Sequence, residues 1–359
     1  MRCDPPLRGS LVTQYKKLSH RRSLLIFSLF SCLVFAFITS LCVGSTYIHP
    51  SEVIASLLNS RGSNNDAIIW EIRLPRTLAA VVGGAALALG GAVVQASLRN
   101  PLASPFTLGI SSAAGFGAAL AIVLGAGRFL KTYLGGVLVH SHFPLIISSF
   151  CFSLLVILVV ILLAKWKGAA PETIILAGIA MSFLFSAATS LVQFFGTTEQ
   201  VASIVFWLFG SLSKASWEGF WTMLLALVTS SIPLHRWSYR YNALLIDDEV
   251  AKNLGVNPER LRLTSMILAS LPNAVVISFL GVIGFVCLAS PHIARMIIGS
   301  NNKYLFPASM LVGANVLLLP DIVSRTLLPP LIIPVGIITS FLGVPVLLYL
   351  LLKKKRHWY

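Results

Sequence analysis

Long uncharged runs, broken by short clusters of charge, Pro or Asn, set the rhythm of this chain. Residues 77–98 make one such run of 22, with no charged side chain. A bilayer core of roughly 30 Å needs about 20 apolar residues per helix, so the run predicts a membrane span. A first span is expected at 23–43, after Arg21 and Arg22. It is long for a secretory h-region and no Ala-x-Ala site follows, so it reads as a retained helix. Residues 44–70 are polar, and Asn64-Asn65-Asp66 signals a loop. Further helices are predicted within 107–127 and over 143–164, 171–196, 215–234, 264–280 and 304–326, with a last one ending at Leu352. Pro171 and Glu172 suit a helix N-terminus.

Two apolar stretches do not fit this measure. The piece WLFGS inside 201–213 is too short to span. After residue 280 an uncharged run is interrupted by Gly281, Gly284 and Pro291, which predicts non-helical backbone and then a short helix to Gly299. Irregular backbone at membrane depth persists only where protein or a water-filled cavity surrounds it. The expectation is an all-α integral membrane protein of about ten transmembrane helices. One membrane domain (23–352) lies between tails 1–22 and 353–359, and its longest charged segment is 235–262. No repeat of 20–50 residues is present.

Composition agrees, with 56% hydrophobic and 11% charged residues against about 25% charged in soluble domains. The formal charge of +15 resembles a nucleic-acid binder's, but Lys and Arg gather at the termini and in short loops, which is a topology signal instead. With both termini cytoplasmic and ten spans, 20 of the 27 basic residues fall inside. Five scattered cysteines with no Cys-x-x-Cys spacing indicate neither a disulfide framework nor a zinc site.

This orientation puts Arg73 and Arg76, in the stretch WEIRLPR, on the outer face beside the N-terminus of the second helix. Cations there are disfavoured by roughly 0.3–1 kcal/mol each, which suggests an acidic partner; snorkelling to lipid phosphates is the alternative. Arg325 lies at the outer end of the ninth helix, where the dipole favours a cation and Asp321 at i−4 can pair with it.

No P-loop, His-Glu-x-x-His or Gly-x-Ser-x-Gly occurs, so nothing in the chain binds ATP by that route or marks a hydrolase. Of twelve acidic residues only Glu172, Glu218 and Asp321 touch predicted spans, each near an end. Carriers driven by an ion gradient usually place one at the midplane, so if the chain is a transporter its energy is expected from a separate subunit. The segment 235–262, with DDEVAKNLGVNPER, predicts two short helices able to dock on a soluble protein. The small residues of 83–92 permit close helix approach. Gln95 could line a pathway or hydrogen-bond a neighbouring helix. His140-x-His142 lacks a third ligand for a metal.

Six stretches, in order, resemble the FecCD-type permeases of ABC importers for iron–siderophore complexes, haem and vitamin B12. They are RLPR at 73–76, GGAVVQASLRNPLASPFTLGIS at 90–111, WLFGSLSKASW at 207–217, EVAKNLGV at 249–256, GVIGFVCLASPHIAR at 281–295 and PVGIITSFLGVPVLLYLL at 334–351. Cys287 departs from the family's pattern, which has Gly there, and leaves local packing open.

The resemblance implies a type II importer architecture in the bacterial cytoplasmic membrane, with two permease subunits flanking the pathway as a homodimer or with a paralogue. It also implies two ATPase subunits that bind ATP, an extracytoplasmic substrate-binding protein and a ferric siderophore as substrate. A haem or cobalamin importer is the runner-up, and an ion-gradient-driven metal carrier the remote alternative. The chain is expected to need no cofactor and catalyse no reaction, and to contact lipid but no nucleic acid. By the same resemblance Arg73, Arg76 and Arg325 grip the binding protein. Glu249, Val250, Ala251, Lys252, Asn253, Leu254, Gly255 and Val256 couple to the ATPase. Asn100 and Leu102 lie near the inner gate. His292 and Arg295 stand in a family motif without an assigned role.

Overall fold

The computed structural model describes residues 6–44, 46–58, 64–125 and 143–352. The two histidines at 140 and 142 and the tail after Leu352 lie outside them. The first helix, α1 (Pro6–Cys42), begins well before its apolar run. Its charged start packs on the far end of the chain, where Arg22 donates to the Ile298 carbonyl at 3.0 Å and stacks on Tyr304. A cation at a helix C-terminus is favourable.

Past α2 (Pro50–Leu58), the expected loop at Asn64 is helical. A short α3 (Asn64–Ala67), a π-turn (Ile68–Arg73) and α4 (Leu74–Leu98) form one rod. Pro75 accounts for the π-turn: it has no N–H to give, and its ring crowds the carbonyl of Glu71 four residues back, so the register widens there. Next come α5 (Ile110–Val123), α6 (Phe143–Lys167), α7 (Pro171–Phe195) and α8 (Thr198–Leu208). They are followed by α9 (Trp217–Arg236), α10 (Ser238–Ile246), α11 (Asp248–Asn253) and α12 (Pro258–Leu280). The chain closes with α13 (Val286–Ile298), α14 (Asn302–Thr326) and α15 (Val335–Leu352).

Six of these helices are long and apolar enough to cross a bilayer. Shorter apolar helices at Ile110–Val123, Val286–Ile298 and Val335–Pro345, together with α9, fill the remaining expected positions. Among the described residues no strand forms beyond one isolated bridge.

One helix is the axis. The apolar window of the rod ending in α4 is 89% buried, against 22% for α1 and α7 and 28% for α6. Four long helices, α1, α9, α12 and α14, and the shorter α13 pack around α4. A second group gathers α6, α7 and α8 on α5, joined to the first through α12 and α6. Backbone-to-backbone approach explains the burial. A methyl on Gly84 would sit 2.3 Å from the Gly313 carbonyl oxygen, and one on Gly91 would overlap the Cys287 carbonyl. Room at that crossing comes from the glycine on α4, so the cysteine at 287 leaves the approach intact.

The break after α12 is real and covered. Gly281 has φ +77° and Phe285 φ +66°, and neither continues a helix. The Ser211 N–H donates to the Leu280 carbonyl at 2.7 Å, and Gly336 N–H donates to Gly210 at 3.3 Å. The WLFGS turn and the start of α15 thereby bury the irregular backbone, as its depth requires.

Candidate functional site

Charged residues collect at the two ends of the α4 rod. At one end Asp321 of α14 is fully buried. Its Oδ1 accepts from Arg76 Nε at 2.9 Å, and its Oδ2 lies 3.2 Å from Arg325 Nε. The i−4 pairing of Arg325 with Asp321 is therefore present, while Arg76 reaches it from 245 positions away in the chain. Arg325 also donates to Ser40 Oγ at 2.7 Å and to the Ser40 carbonyl at 3.3 Å, and Ser40 Oγ contacts Thr77 Oγ1 at 2.8 Å. Arg73 Nη1 donates to the carbonyls of Leu41 at 2.7 Å and Cys42 at 2.9 Å, and Nη2 to both oxygens of Thr46.

These contacts correct the electrostatic premise about the arginines. Arg73 and Arg76 do not lie at a helix N-terminus, because the rod begins at Asn64; nor do they lie on the surface, being 4% and 5% exposed. Arg73 and Arg325 instead cap the last carbonyls of α1, where orphan acceptors and the negative end of the dipole welcome a cation. An acidic partner is not needed to explain them. The cluster nevertheless holds three guanidiniums and one carboxylate. Beside it Trp70 and Trp217 stack at 6.3 Å, and Trp217 Nε1 donates to the Trp70 carbonyl at 3.0 Å. Such an aromatic pair suits a membrane–water boundary.

At the other end the two short helices expected in 235–262 are α10 and α11. Asp247 caps α11, its Oδ1 accepting the Asp248 N–H at 2.7 Å. Gly255 at φ +77° ends it, with Val256 N–H returning to the Ala251 carbonyl at 2.9 Å, the Schellman arrangement a glycine permits. Of 249–256 only Ala251 is fully enclosed, and Leu254 projects outward, as does Ile246 before the helix. Two arginines grip this loop. Arg262 holds Asp248 through both nitrogens at 2.6 and 2.9 Å and donates Nε to the Ser97 carbonyl at 3.1 Å. Arg99 contacts Asp247 at 3.1 Å and Asp248 at 3.0 Å. The Asp248 N–H, and after it the Arg99 guanidinium, hold the Asp247 carboxyl below the usual carboxylate range.

Between the ends, Gln95 faces no open space. It is wholly buried, its Oε1 accepting from Arg295 Nη2 at 3.1 Å and its Nε2 donating to the Leu288 carbonyl at 3.4 Å. Of the two readings of Gln95, this is the interhelical hydrogen bond. Asn100 folds the turn after α4 by accepting the Leu102 N–H at 2.9 Å, and Leu102 is exposed. His292 Nε2 meets the Pro101 carbonyl at 2.8 Å; a carbonyl only accepts, so this nitrogen carries the proton. His292 and Arg295 thus tie α13 to the end of α4 and the turn after it. No group of three metal-binding side chains occurs among the described residues.

Sequence reasoning missed Ser40, Thr77, Arg99 and Arg262 as site residues, and named Asp247 and Asp248 only as part of the docking segment. Arg99 carried a signal: an Arg directly after a long apolar helix, where Gly is usual.

Comparison with known proteins places these features. The model of the FecCD transport family matches residues 32–353. A Methanocaldococcus jannaschii protein provisionally named an ABC transporter permease is 44% identical over 95% of this chain and 97% of its own length. A Helicobacter pylori protein, named a probable iron chelatin transport system permease, is 36% identical over 83% of this chain and 86% of its own. The Salmonella typhi vitamin B12 import system permease is 33% identical over 92% and 95%. A solved ABC transporter, provisionally of metal-chelate type and facing inward, superposes with TM-score 0.79 at 34% identity, covering 92% of this chain and 99% of that one.

Proposed function

We propose a substrate and a working cycle for this chain, which belongs to the FecCD transport family and is a permease of the ABC importer type. The substrate is a ferric siderophore, carried across a bacterial cytoplasmic membrane with both termini inside. The reading is supported by the iron-chelatin name of one relative and the metal-chelate type of the solved neighbour. A second copy or a paralogue completes the pathway, two ATPase subunits bind and hydrolyse ATP, and a substrate-binding protein delivers the chelate.

One observation carries the cycle: a single buried helix joins the arginine cluster to the loop at 247–256. Leu254 and Ile246 are the apolar contacts that loop offers an ATPase. At the opposite end Arg73, Arg76 and Arg325 would reach a partner's carboxylate only by releasing α1 and Asp321. We therefore assign docking to their field. Within the cluster three cations face one anion, and this local excess, set among the acids Glu52, Asp66, Glu71 and Glu218 at the same end, is what would attract an acidic binding protein without direct contact. Asn100 and Leu102 belong to the turn at the cytoplasmic mouth.

The test is uptake of labelled ferric siderophore by an iron-starved deletion strain complemented with this chain. Uptake that requires the partner ATPase gene is expected; uptake persisting without that gene would sink the cycle. A second reading, cobalamin or haem as substrate, draws on the vitamin B12 relative. It wins if those molecules, and not the siderophore, are taken up.

A further inference from the structure

We propose that Arg99 and Arg262 form a two-armed clamp that makes the loop around α11 and the helix α4 move as one body, so that the ATPase acts on the pathway through α4. The inference rests on the coupling role proposed above for that loop.

Arg99 ends α4 at φ +48° and ψ +34°. A residue with a Cβ is strained in that left-handed conformation, and glycine is the usual occupant at a helix end. Here the strained backbone goes with a side chain that reaches Asp247 and Asp248 together. Arg262 adds a second arm. Arg262 is 3% exposed and joins three elements: it stands on α12, and its guanidinium reaches the Ser97 carbonyl in the last turn of α4 and Asp248 at the start of α11.

Apart from its contacts with α10 and the start of α12, little else fastens α11. The helix has six residues, of which Ala251 alone is buried, so its apolar contact with the bundle is slight. Two acids and two arginines balance, so the cluster calls for no outside ion. What the clamp holds is stiff. The rod ending in α4 is buried along most of its length, and its far end is fixed by the Arg76–Asp321 pair. A push on α11 therefore has no soft joint in which to dissipate before it reaches α4.

The decisive variant is Arg99→Gly in the complete transporter reconstituted in liposomes, with the ATPase and the binding protein. Glycine suits the backbone at this position, so the variant keeps its fold and melts no lower than wild type. The quantity read is substrate moved per ATP hydrolysed. Damage to folding or assembly lowers both rates together, whereas a severed clamp lowers their ratio. We expect that ratio to fall by about tenfold, within the usual range of coupling between sites. Arg262→Lys, which keeps the charge but loses the forked grip, is expected to lower it as well. Asp247→Asn, which keeps the cap of α11, is expected to lower it least.

An unchanged ratio in Arg99→Gly overturns the clamp, and it does so alone if Arg262→Lys fails to fold. A wild-type chain that does not co-purify with an ATPase overturns the coupling role itself, a different failure seen in a different lane.

Discussion

At one end of the central rod two arginines meet one buried carboxylate, with a third arginine beside them on the last carbonyls of α1; at the other, two arginines meet two carboxylates nearer to solvent. Asp321 is wholly enclosed, whereas the Asp247 side chain is 55% exposed. Opposite charges in a dry, uneven cluster cannot be separated cheaply, because whichever group remains is left buried and unpaired. In the even cluster the Arg99–Asp247 arm is wet, so water replaces a lost partner there and salt screens the pair, while Arg262 stays buried beneath it. The first arrangement suits a fixed joint among α1, α4 and α14. The second suits a contact that must hold a loop and still transmit a displacement.

The most severe way to break this contrast is Asp321→Ala. It leaves Arg76 and Arg325 buried with no carboxylate between them, and removing one member of a buried pair costs about 3–5 kcal/mol. Thermal unfolding in detergent should show a marginal or unfolded protein. Wild-type melting would mean that the arginines find water or lipid phosphate, and the joint would lose its meaning.

Arg73→Met comes next. It keeps much of the apolar stem but removes the charged donors from the last carbonyls of α1, at a cost of about 1–3 kcal/mol. Because it also lowers the positive surplus, association with the binding protein should slow and become less sensitive to salt. Surface plasmon resonance at several ionic strengths would read this. Unchanged kinetics would remove the charge-steering proposal and leave Arg73 as a helix cap.

Salt should separate the ends in the unaltered protein. At about 1 M the Debye length is roughly 3 Å. Hydrogen exchange should then quicken in α11 and stay slow around Asp321.

Acid gives the smallest effect, and its sign follows from Asp247. Its carboxyl titrates lower in the folded protein than in the unfolded chain. The stabilisation is therefore complete above the ordinary value of about 3.9 and is lost as pH falls through the lower, folded one. The loop should hold throughout neutral and mildly acid pH and loosen only below that range. Loosening near pH 6 would point to another group.

Much of the chemistry near α11 was legible in the sequence because it is local. An Asp cap, six helical residues and a Gly in the left-handed region lie within ten positions, and such signals do not depend on the rest of the chain. The Asp321–Arg325 pair was legible for the same reason, being one turn apart on a single helix. The start of the central rod was not. Hydropathy marks where a helix enters the bilayer and says nothing of how far it continues beyond, so Trp70–Arg76 read as an edge.

The sequence by itself determined the number and rough placement of the membrane helices, the break after Leu280, the two short helices of the loop and the family. Each of these follows from composition, periodicity or contiguous motif, quantities written along the chain. Only the tertiary structure decided which carbonyls Arg73 caps, that Arg76 spends its charge on an acid 245 positions distant, and that Arg99 and Arg262 close on one loop. Those partners are set by which helices can approach α4. That approach depends on backbone contacts at Gly84 and Gly91, where the absence of a side chain names no neighbour until the bundle has formed.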